Sequence, residues 1–593
     1  MQSLFSRVLF PEENLHMLPW NEACGSTNRI ISSFGGLTMQ RLYTEEGRRL
    51  SGIPWNRYPR PQLRRREWRC LNGEWEFRTE GFHGRKILVP FCPECLLSGI
   101  WNAPEPGVQM VYEREFELPE EWSGEKILLH FGAVSRECAV FMNGVEVCRH
   151  AQAYLPFSAD ISERVHPGVN TIRVTVVNDL APKYPLGKQS RRRGGMWYTP
   201  VSGIWQTVWL EPVPKNYIHG LHIVTGETWA DIQVDGPQNG VVEFEDRDYP
   251  LIEGRVRIDP TEPVLWSPEK PHLYEFTVTC GEDRVESYFA LRTLSIQTVN
   301  GKQRLCVNGE PYFFNGLLDQ GYWSDGLYTP ASPEAYEKDI LTMKSLGFNT
   351  LRKHIKIEPE QFYYDCDRLG MIVFQDMVNN GEYHYGRDTF LPTVGICRRS
   401  DQQMNPDPET RKIFLKTMEG TVCHLRNHPS ICLWTIFNEG WGQFCADEAY
   451  SKLRAMDCSR FIDSTSGWFH QNVSDVDSLH IYFRKLRLGT EDRPQLLSEF
   501  GGYSYKIPEH SFNLKKTYGY REYQNREQFV KGLQDLYTEV NHMAEEGLSG
   551  AIYTQISDVE DETNGLLTFD REVLKVQVDE MLPIIEKLNR KDN

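Results

Sequence analysis

The sequence contains no long hydrophobic run and no excess of positive charge. None of its apolar stretches approaches the roughly 20 residues that a membrane-spanning helix needs, so we expect no membrane partner. Its 65 Lys and Arg are outnumbered by 82 Asp and Glu, which gives a net charge of −17. Nucleic acids attract basic proteins, so we expect no nucleic-acid partner either. This charge balance still allows a local cationic pocket.

Cysteine is also scarce for a chain of this length. The 593 residues contain 14 cysteines, too few for a disulfide scaffold. Cys92 and Cys95 form an isolated C-x-x-C pair, which we interpret as two free thiols in a loop rather than as a metal or redox site. The apolar part of residues 1–10 is too short for a signal peptide. We therefore expect a reduced, cytoplasmic protein.

Motifs for bound cofactors are missing as well. The sequence has no nucleotide-binding glycine loop, no H-E-x-x-H zinc motif and no calcium loop, so we expect no cofactor and no metal. Aromatic residues, in contrast, are abundant at 12%, with 15 Trp and 27 Tyr. Aromatic side chains often form the floor of sugar-binding sites, although most of them belong to protein cores.

The pattern of residues changes three times along the chain. Residues 1–60 are irregular, with scattered Gly, Arg and Pro, and we interpret them as an N-terminal arm. Residues 61–212 alternate short strands with Asn-Gly and Pro-Gly turns, which predicts a jelly-roll β-sandwich. Residues 213–295 have similar spacing over about 80 residues, which suits an immunoglobulin-like β-sandwich.

Residues 296–593 alternate apolar strands with helices. Helical spacing of apolar residues occurs at 333–346, 360–369 and 410–426. Strand candidates occupy residues 312–315, 348–352, 371–377, 430–437, 461–465, 478–482, 495–498 and 550–555. Apolar strands separated by helices indicate a parallel sheet, and eight of them in about 300 residues predict a C-terminal (β/α)₈ barrel.

Two of the predicted barrel strands end in a glutamate. The fourth leads into Glu439 and the seventh into Glu499, each followed by glycine within two residues. Chemistry in such barrels gathers at the C-terminal ends of strands, and a buried carboxylate is costly unless it is paired or reacting. A structural carboxylate held by arginine or backbone amides is the alternative for either residue. Glycoside hydrolysis is catalysed by two facing carboxyl groups, and a retaining enzyme would hold them about 5–5.5 Å apart.

Several segments together resemble glycoside hydrolase family 2, the family of β-galactosidases, β-glucuronidases and β-mannosidases. The matching segments are residues 71–75, 198–205, 427–431, 437–440 and 498–502. Each segment alone is weak evidence for the family, but the five segments together are specific to it. The order of sandwich, immunoglobulin-like module and barrel is also that of the family, and only the first 60 residues lack a counterpart.

The resemblance implies roles for five residues of the barrel. Glu439 corresponds to the general acid/base and Glu499 to the nucleophile. Asn438 resembles the asparagine that binds the sugar 2-hydroxyl, and Tyr482 resembles the tyrosine that orients the nucleophile. Arg352 resembles the barrel arginine that lowers the pKa of the nucleophile, with a structural ion pair as the alternative.

Further substrate-binding candidates lie around this set. His354 and Lys356 follow Arg352 at alternating positions, so all three would share one face of a continued strand. For Lys356 a salt bridge at the barrel rim is an equal alternative. Trp441 and Trp468 are candidate sugar platforms or core residues, and Gln555 is expected either to contact the sugar or to shape the rim.

The substrate is harder to predict than the chemistry. The family's β-glucuronidases bind the substrate carboxylate with an Asn-x-Lys pair, and here Glu562 and Asn564 stand at those positions. An acid there would repel a uronate bound in the usual way, which disfavours an ordinary β-glucuronidase. From the resemblance and the missing pair we expect a retaining exo-β-glycosidase acting on galacto-configured substrates, either β-galactosides or β-galacturonides. We also expect a homo-oligomer, either a dimer or a tetramer.

Three alternatives remain open. One is a β-glucuronidase or another β-hexuronidase that lacks the usual pair and holds the carboxylate with Lys353, Lys356 or the arginines at 191–193. Another is a non-catalytic carbohydrate-binding protein on a glycosidase scaffold. The third is a transglycosidase, which would use the same residues with a different acceptor.

Overall fold

The computed structural model describes residues 32–34, 37–393, 396, 399–489 and 492–589. Most of the predicted N-terminal arm, residues 1–31 and 35–36, lies outside this part of the chain. The described remainder of the arm contacts the barrel. Its short helix Glu45–Arg49 is capped by Thr44, whose backbone N–H and hydroxyl both donate to the Asp325 carboxylate, at 2.8 and 2.7 Å.

The first sandwich consists of two antiparallel sheets. The six-stranded sheet has the order Val145–His150, Glu137–Met142, Gly168–Val177, Gln109–Leu118, Gly73–Thr79 and Phe82–Val89. The four-stranded sheet has the order Phe157–Asp160, Lys126–Phe131, Val208–Val213 and Arg69–Cys70. Every second residue from Asn170 to Val176 is buried, as expected for a strand with one face on a core. The predicted jelly-roll sandwich is confirmed.

The second sandwich is smaller and also antiparallel. One sheet contains Gly220–Thr225, Ala230–Asp235 and Arg255–Ile258, and the other contains Arg247–Leu251, Gly240–Phe244, Tyr274–Cys280 and Asp283–Phe289. Aliphatic side chains and a few aromatic rings fill the space between the sheets; Tyr274 stacks on Phe289 of the adjacent strand with ring centroids 5.1 Å apart. This arrangement confirms the immunoglobulin-like module. The strands Leu294–Val299, Lys302–Val307 and Glu310–Pro311 then lead into the barrel.

Eight parallel strands form the barrel, as the sequence predicts. In chain order they are Phe314–Asp319, Thr350–Lys353, Ile372–Asp376, Ile431–Asn438, Phe461–Ser466, Asp477–Ile481, Gln495–Gly501 and Leu548–Thr554. Their spatial order is 5-4-3-2-1-8-7-6. The fifth and sixth strands close the ring, where the backbone N–H of Asp475 donates to the Ile462 carbonyl at 2.9 Å.

Helices cover the outside of the barrel. They are Glu334–Ser345, Glu360–Leu369, Pro408–Leu425, Ala446–Met456, Arg526–Glu545 and Val578–Asn589. Within the described residues no helix follows the fifth or the sixth strand, so the strict strand–helix repeat is interrupted there by loops. None of the helices in the described part of the chain is long and apolar enough to cross a membrane.

The interior of the barrel is apolar at one end and polar at the other. Its lower part is filled by side chains from different strands, among them Phe314, Phe374, Leu433, Phe461 and Leu496. Such layers make the barrel a packed core rather than a pore. We call the opposite end, where the strands finish and their following loops begin, the barrel mouth.

Candidate active site

Glu439 lies one residue beyond the fourth strand. Its backbone N–H donates to the Ser466 carbonyl of the fifth strand at 2.9 Å, which extends the pairing of the two strands. Its φ of +54° is in the left-handed region, which is unusual for a residue with a side chain and is often found at functional sites. The glycine after it, Gly440, also has a positive φ of +70°. This turn directs the Glu439 side chain into the mouth.

Glu499 reaches the mouth because the seventh strand contains a β-bulge. Leu497 pairs with Leu479 of the sixth strand, but the next pair joins Glu499 to His480, so the seventh strand has one extra residue. The pairing with the eighth strand shifts at the same place. A bulge changes the face to which the following side chains point. Without it, alternation would send Glu499 outward with Leu497.

The two glutamates are close together. One carboxylate oxygen of Glu439, one of Glu499 and one ring nitrogen of His480 all lie within 4.8 Å of one another. Carboxyl groups in retaining glycosidases are about 5–5.5 Å apart, whereas inverting enzymes leave about 6.5–9.5 Å for a water molecule. Oxygens this close favour the retaining over the inverting geometry.

Arg352 connects the parts of the site. Its guanidinium donates to Asp376 at 2.9 Å, to Glu499 at 3.2 Å and to the side-chain oxygen of Asn438 at 2.8 Å. Burial raises the pKa of Glu499, but the nearby His480, Arg352, His354 and Lys188 outweigh this effect and lower the pKa to about 2. Glu499 is therefore held as a carboxylate at neutral pH.

His480 and Tyr482 contact the glutamates from the sixth strand and its end. His480 Nδ1 lies 2.8 Å from a Glu439 oxygen and 3.7 Å from a Glu499 oxygen. The Tyr482 hydroxyl donates to the same Glu499 oxygen and lies 3.0 Å from the Thr554 hydroxyl. The Tyr482 ring is stacked on Tyr520, with centroids 3.7 Å apart. These contacts leave each glutamate little rotational freedom.

His354 lies on the other side of Glu499. Its Nδ1 is 2.7 Å from Asp376 and 3.9 Å from Glu499. Burial lowers the pKa of this histidine, and a smaller opposing effect comes from its hydrogen bond with Asp376. Burial raises the pKa of Asp376, but Arg352 and His354 reverse the effect, so the pKa lies below its ordinary value. Asp376 thus holds Arg352 and His354, two neighbours of Glu499, in place.

A large cleft opens from Glu439 towards solvent. Its volume is about 1300 Å³, and Glu439, Trp468, His480, Tyr482 and Tyr520 line its inner end. The loops after the fifth and sixth strands, where the helices are missing, form much of its wall. The outer end is lined by basic and aromatic side chains, among them Arg399, Phe483, Arg484, Lys485 and Arg487.

The structure does not bring Lys356 to the mouth. The second strand ends at Lys353, and Ile355 has a left-handed φ of +56°, so the expected alternation stops before Lys356. The Lys356 ammonium donates to the carbonyls of Gly321 and Tyr328, at 2.6 and 2.7 Å, and pairs with Glu358. All three of its donors are used in the protein interior. The expectation that Lys356 binds the substrate is corrected accordingly.

Other cations considered for the substrate also have partners. Lys353 forms ion pairs with Asp319 and Glu358, at 2.6 and 2.8 Å. Arg191 pairs with Glu105, and Arg193 lies 3.7 Å from Glu560. Arg192 is exposed on the surface of the same loop. A carboxylate in the mouth would have to displace these partners to bind them.

The two tryptophan candidates have different positions. Trp468 is half-buried, lines the cleft and donates its indole N–H to the Glu439 carbonyl at 3.0 Å. Trp441 is only 7% exposed; it donates to the Gly381 carbonyl and packs edge-on against Trp197. Trp468 therefore remains a candidate platform, whereas Trp441 packs in the rim of the barrel.

Gln555 is connected to the site by hydrogen bonds to neighbouring side chains. It is fully buried and donates to the Glu562 carboxylate and to the Asn564 side-chain oxygen, both at 2.8 Å. Tyr198, from the first sandwich, also donates to Glu562 at 2.8 Å. Burial raises the pKa of Glu562 to about 7, partly offset by Lys188 and by these two donors. At neutral pH this carboxyl is protonated in a large fraction of molecules, so it repels an anion less than the sequence suggested.

Two contributors to the site were missed by sequence reasoning. Asp376 ends the third strand, and a position at a strand end is the signal that identified the glutamates. His480 stands two residues before Tyr482. Their alternating positions place His480 and Tyr482 on one side of the chain, which is the signal that could have identified it.

A (β/α)₈ barrel with two close glutamates at its mouth is the arrangement of a glycosidase. Comparison with known families agrees. Residues 298–572 match the family 2 glycosyl hydrolase TIM barrel domain, and residues 99–214 match the family 2 glycosyl hydrolase sugar binding domain. The chain belongs to glycoside hydrolase family 2.

Curated relatives include both uronide- and galactoside-cleaving enzymes by name. A β-glucuronidase of Rattus norvegicus is 25% identical over 371 residues, covering 55% of this chain and 54% of the relative. A β-galactosidase of Thermoanaerobacter pseudethanolicus is 24% identical over 361 residues, covering 55% of this chain and 44% of the relative. The chain thus spans about half the length of these two relatives.

Solved structures share the fold over most of the chain. A β-D-glucuronidase of Dictyoglomus thermophilum has a TM-score of 0.69 at 18% identity, covering 90% of this chain and 99% of the other. A family 2 β-galacturonidase of Eisenbergiella tayi bound to galacturonate has a TM-score of 0.65 at 20% identity, again covering 90% and 99%. These likenesses concern the fold and do not distinguish between substrates.

Proposed function

We propose that the protein is a retaining exo-β-glycosidase that removes a terminal galacto-configured sugar, from either a β-galactoside or a β-galacturonide. The observation that carries this proposal is the separation of Glu439 and Glu499, whose nearest oxygens lie within 4.8 Å. The two carboxyls also have different surroundings. Glu499 is buried beside Arg352 and Tyr482, whereas Glu439 faces the open cleft.

The first step would form a covalent bond between the sugar and Glu499. The ionised Glu499 oxygen attacks the anomeric carbon while Glu439 donates a proton to the departing glycosidic oxygen. Arg352 keeps Glu499 ionised before the attack, and Tyr482 fixes its orientation through the hydroxyl hydrogen bond. Asn438 is held by Arg352 with its amide at the same mouth, in keeping with contact to the sugar 2-hydroxyl.

The second step would release the sugar. Once the leaving group has left through the cleft, Glu439 is a carboxylate and can take a proton from a water molecule. That water attacks the anomeric carbon from the face on which the leaving group was bound, and the bond to Glu499 breaks. Two inversions restore the β configuration. An acceptor alcohol in place of water would give transglycosylation by the same residues.

Two observations bear on the choice of sugar. Glu562 and Asn564 replace the Asn-x-Lys pair of the family's β-glucuronidases, which favours a galacto-configured substrate. The raised pKa of Glu562, due chiefly to burial, reduces the repulsion of a uronate and keeps a β-hexuronidase as the second candidate. A purely carbohydrate-binding protein is disfavoured, because it would have no use for a nucleophile-like carboxylate held ionised beside a second carboxyl.

A panel of nitrophenyl glycosides tests the proposed substrate class. The wild-type protein is assayed on p-nitrophenyl β-galactoside, β-galacturonide, β-glucuronide, β-glucoside and β-mannoside. We expect the highest kcat/KM on one of the two galacto-configured substrates. Highest activity on the glucuronide would establish the hexuronidase alternative instead. Sugar binding without turnover of any member would support the binding protein.

Arg352 should control the acid side of the pH profile. A Glu499 pKa near 2 means that the nucleophile loses its charge only in strong acid. Replacing Arg352 with Gln removes a positive neighbour, so the pKa of Glu499 rises and activity is lost at a higher pH as the solution is acidified. The measurement is kcat/KM on an aryl β-glycoside from about pH 3 to pH 8.

Arg352→Lys is the matched control for this experiment, because it keeps the positive charge but not the planar hydrogen-bonding group. We expect Arg352→Lys, like the wild-type protein, to show no acid limb from Glu499 down to about pH 3, even if kcat falls. An Arg352→Gln variant whose acid limb does not move would contradict the assigned role of Arg352.

Several expectations from the sequence stay predictions. The domain boundaries, the cytoplasmic location and assembly into a dimer or tetramer are among them. Mass measurement by light scattering during size-exclusion chromatography would determine the number of copies in solution.

A further inference from the structure

A loop of the first sandwich enters the barrel mouth between the second and third strands. Gly187, in this loop, has a φ of +61°, and a side chain there would lie 2.8 Å from the Ile355 carbonyl. The backbone N–H of Leu186 donates to the Asn379 carbonyl at 3.1 Å. Only glycine allows so close an approach at this φ. The contacts fix the position of the next residue, Lys188, above the mouth.

The backbone of Lys188 and the residue that follows it are held in place as well. Its carbonyl accepts a hydrogen bond from the Tyr198 N–H at 3.0 Å. Gln189 donates to the Tyr154 hydroxyl at 2.8 Å and accepts from the Val201 N–H at 2.6 Å. Tyr198 in turn binds Glu562, which follows the eighth strand. The loop therefore spans the mouth from the second and third strands to the eighth.

The Lys188 ammonium is half-buried and has no partner of its own. Among the residues that the structure describes, it forms no ion pair within 4 Å and donates no hydrogen bond. Its charge nevertheless acts on the site, because it lowers the pKa of Glu499, Glu562 and His354 alongside the larger effects of burial and other neighbours. A cation in such a position is ready to receive an anionic group.

The remaining buried cations near the mouth are already engaged. Lys353 and Lys356 bind Glu358, and Lys575 binds Asp558 at 2.6 Å. Arg352 is shared among Asp376, Glu499 and Asn438. Lys188 differs from all of these in having three free N–H donors to offer.

We infer that Lys188 binds the C6 carboxylate of the terminal sugar, so that the substrate is an anionic β-galacturonide rather than a neutral β-galactoside. The inference rests on the proposed function, since it places the sugar at Glu439 and Glu499. Lys188 would supply the positive charge that the lysine of the Asn-x-Lys pair supplies in the family's β-glucuronidases. It belongs to the first sandwich, whereas that lysine belongs to the barrel. Glu562, held by Tyr198 and Gln555, lies beside it as a hydrogen-bond donor when protonated.

The test compares two substrates that differ only at C6. We measure kcat/KM on p-nitrophenyl β-galacturonide and on p-nitrophenyl β-galactoside, and take the ratio of the first to the second. The wild-type ratio should exceed 1. In Lys188→Gln the ratio should fall about a hundredfold, because the carboxylate loses a charged partner that the neutral sugar never used. Lys188→Arg, which keeps the charge, should lose about tenfold or less.

Arg192→Gln is the matched control, since it removes an exposed positive charge from the same loop, and its ratio should equal that of the wild-type protein. A wild-type preference for the galactoside, or an equal loss on both substrates in Lys188→Gln, would overturn the inference while leaving the glycosidase proposal intact.

A binding measurement separates the two proposals further. If no aryl glycoside is turned over, the proposed function fails, and calorimetry with galacturonate and galactose then tests Lys188 alone. Galacturonate binding that weakens about a hundredfold in Lys188→Gln, but not in Arg192→Gln, would support the assignment. Equal binding of galacturonate by Lys188→Gln and the wild-type protein, or none by either, would overturn it.

Discussion

Replacing Glu499 with Ala is expected to lower kcat on an aryl β-galactoside or β-galacturonide by at least about 10⁴-fold. The variant lacks the atom that forms the bond to the anomeric carbon, and no neighbouring carboxylate can take its place. Glu439 lies on the leaving-group side, and Asp376 is held by Arg352 and His354. Steady-state release of nitrophenol checks the prediction.

Azide distinguishes a lost nucleophile from a misfolded protein. The anion can enter the space left by the Glu499 side chain and attack the anomeric carbon directly, which is a single inversion. We therefore expect Glu499→Ala to form an α-glycosyl azide, with circular dichroism unchanged from the wild-type protein. Near wild-type hydrolysis by Glu499→Ala would remove Glu499 from the mechanism.

Replacing Glu439 with Ala should give the second largest effect, and its size should depend on the leaving group. General acid catalysis contributes about 10²–10⁴-fold when the departing oxygen needs a proton. With a phenyl glycoside the rate of the first step should fall by this full factor. With a dinitrophenyl glycoside, whose leaving group departs as a stable anion, the rate should fall little. Pre-steady-state release of the two phenols measures this difference.

The product formed with azide is again diagnostic. In Glu439→Ala the nucleophile Glu499 is intact, so azide attacks the sugar–enzyme intermediate from the face that Glu439 had occupied. We expect a β-glycosyl azide, the opposite anomer to that from Glu499→Ala. Equal losses on the phenyl and dinitrophenyl glycosides would contradict the role of Glu439 as general acid.

The barrel and its reactive pair could be predicted because their signals are local. Most barrel strands contain a short apolar run, since both faces of the strand are buried, and each predicted strand lies within a few residues of the observed one. Glu439 and Glu499 stand directly at the ends of two such runs. The rule that chemistry gathers at strand ends therefore located them without any knowledge of their contacts.

The specificity residues could not be predicted in the same way, because they depend on breaks in local patterns and on contacts between domains. Alternation along the second strand pointed to Lys356, but the left-handed φ of Ile355 ends the alternation. The β-bulge that turns Glu499 inward is invisible in the sequence. Lys188 lies more than 300 residues before Glu499 and meets it only through the docking of the first sandwich on the barrel.

The configuration of the first-formed sugar tests the central claim most directly. Proton nuclear magnetic resonance can follow the anomeric signal during hydrolysis of an aryl β-glycoside, before mutarotation mixes the anomers. Two displacements by carboxyls as close as Glu439 and Glu499 predict that the β anomer appears first. Initial formation of the α anomer would mean a single displacement by water, and would contradict the assignment of Glu499 as the nucleophile.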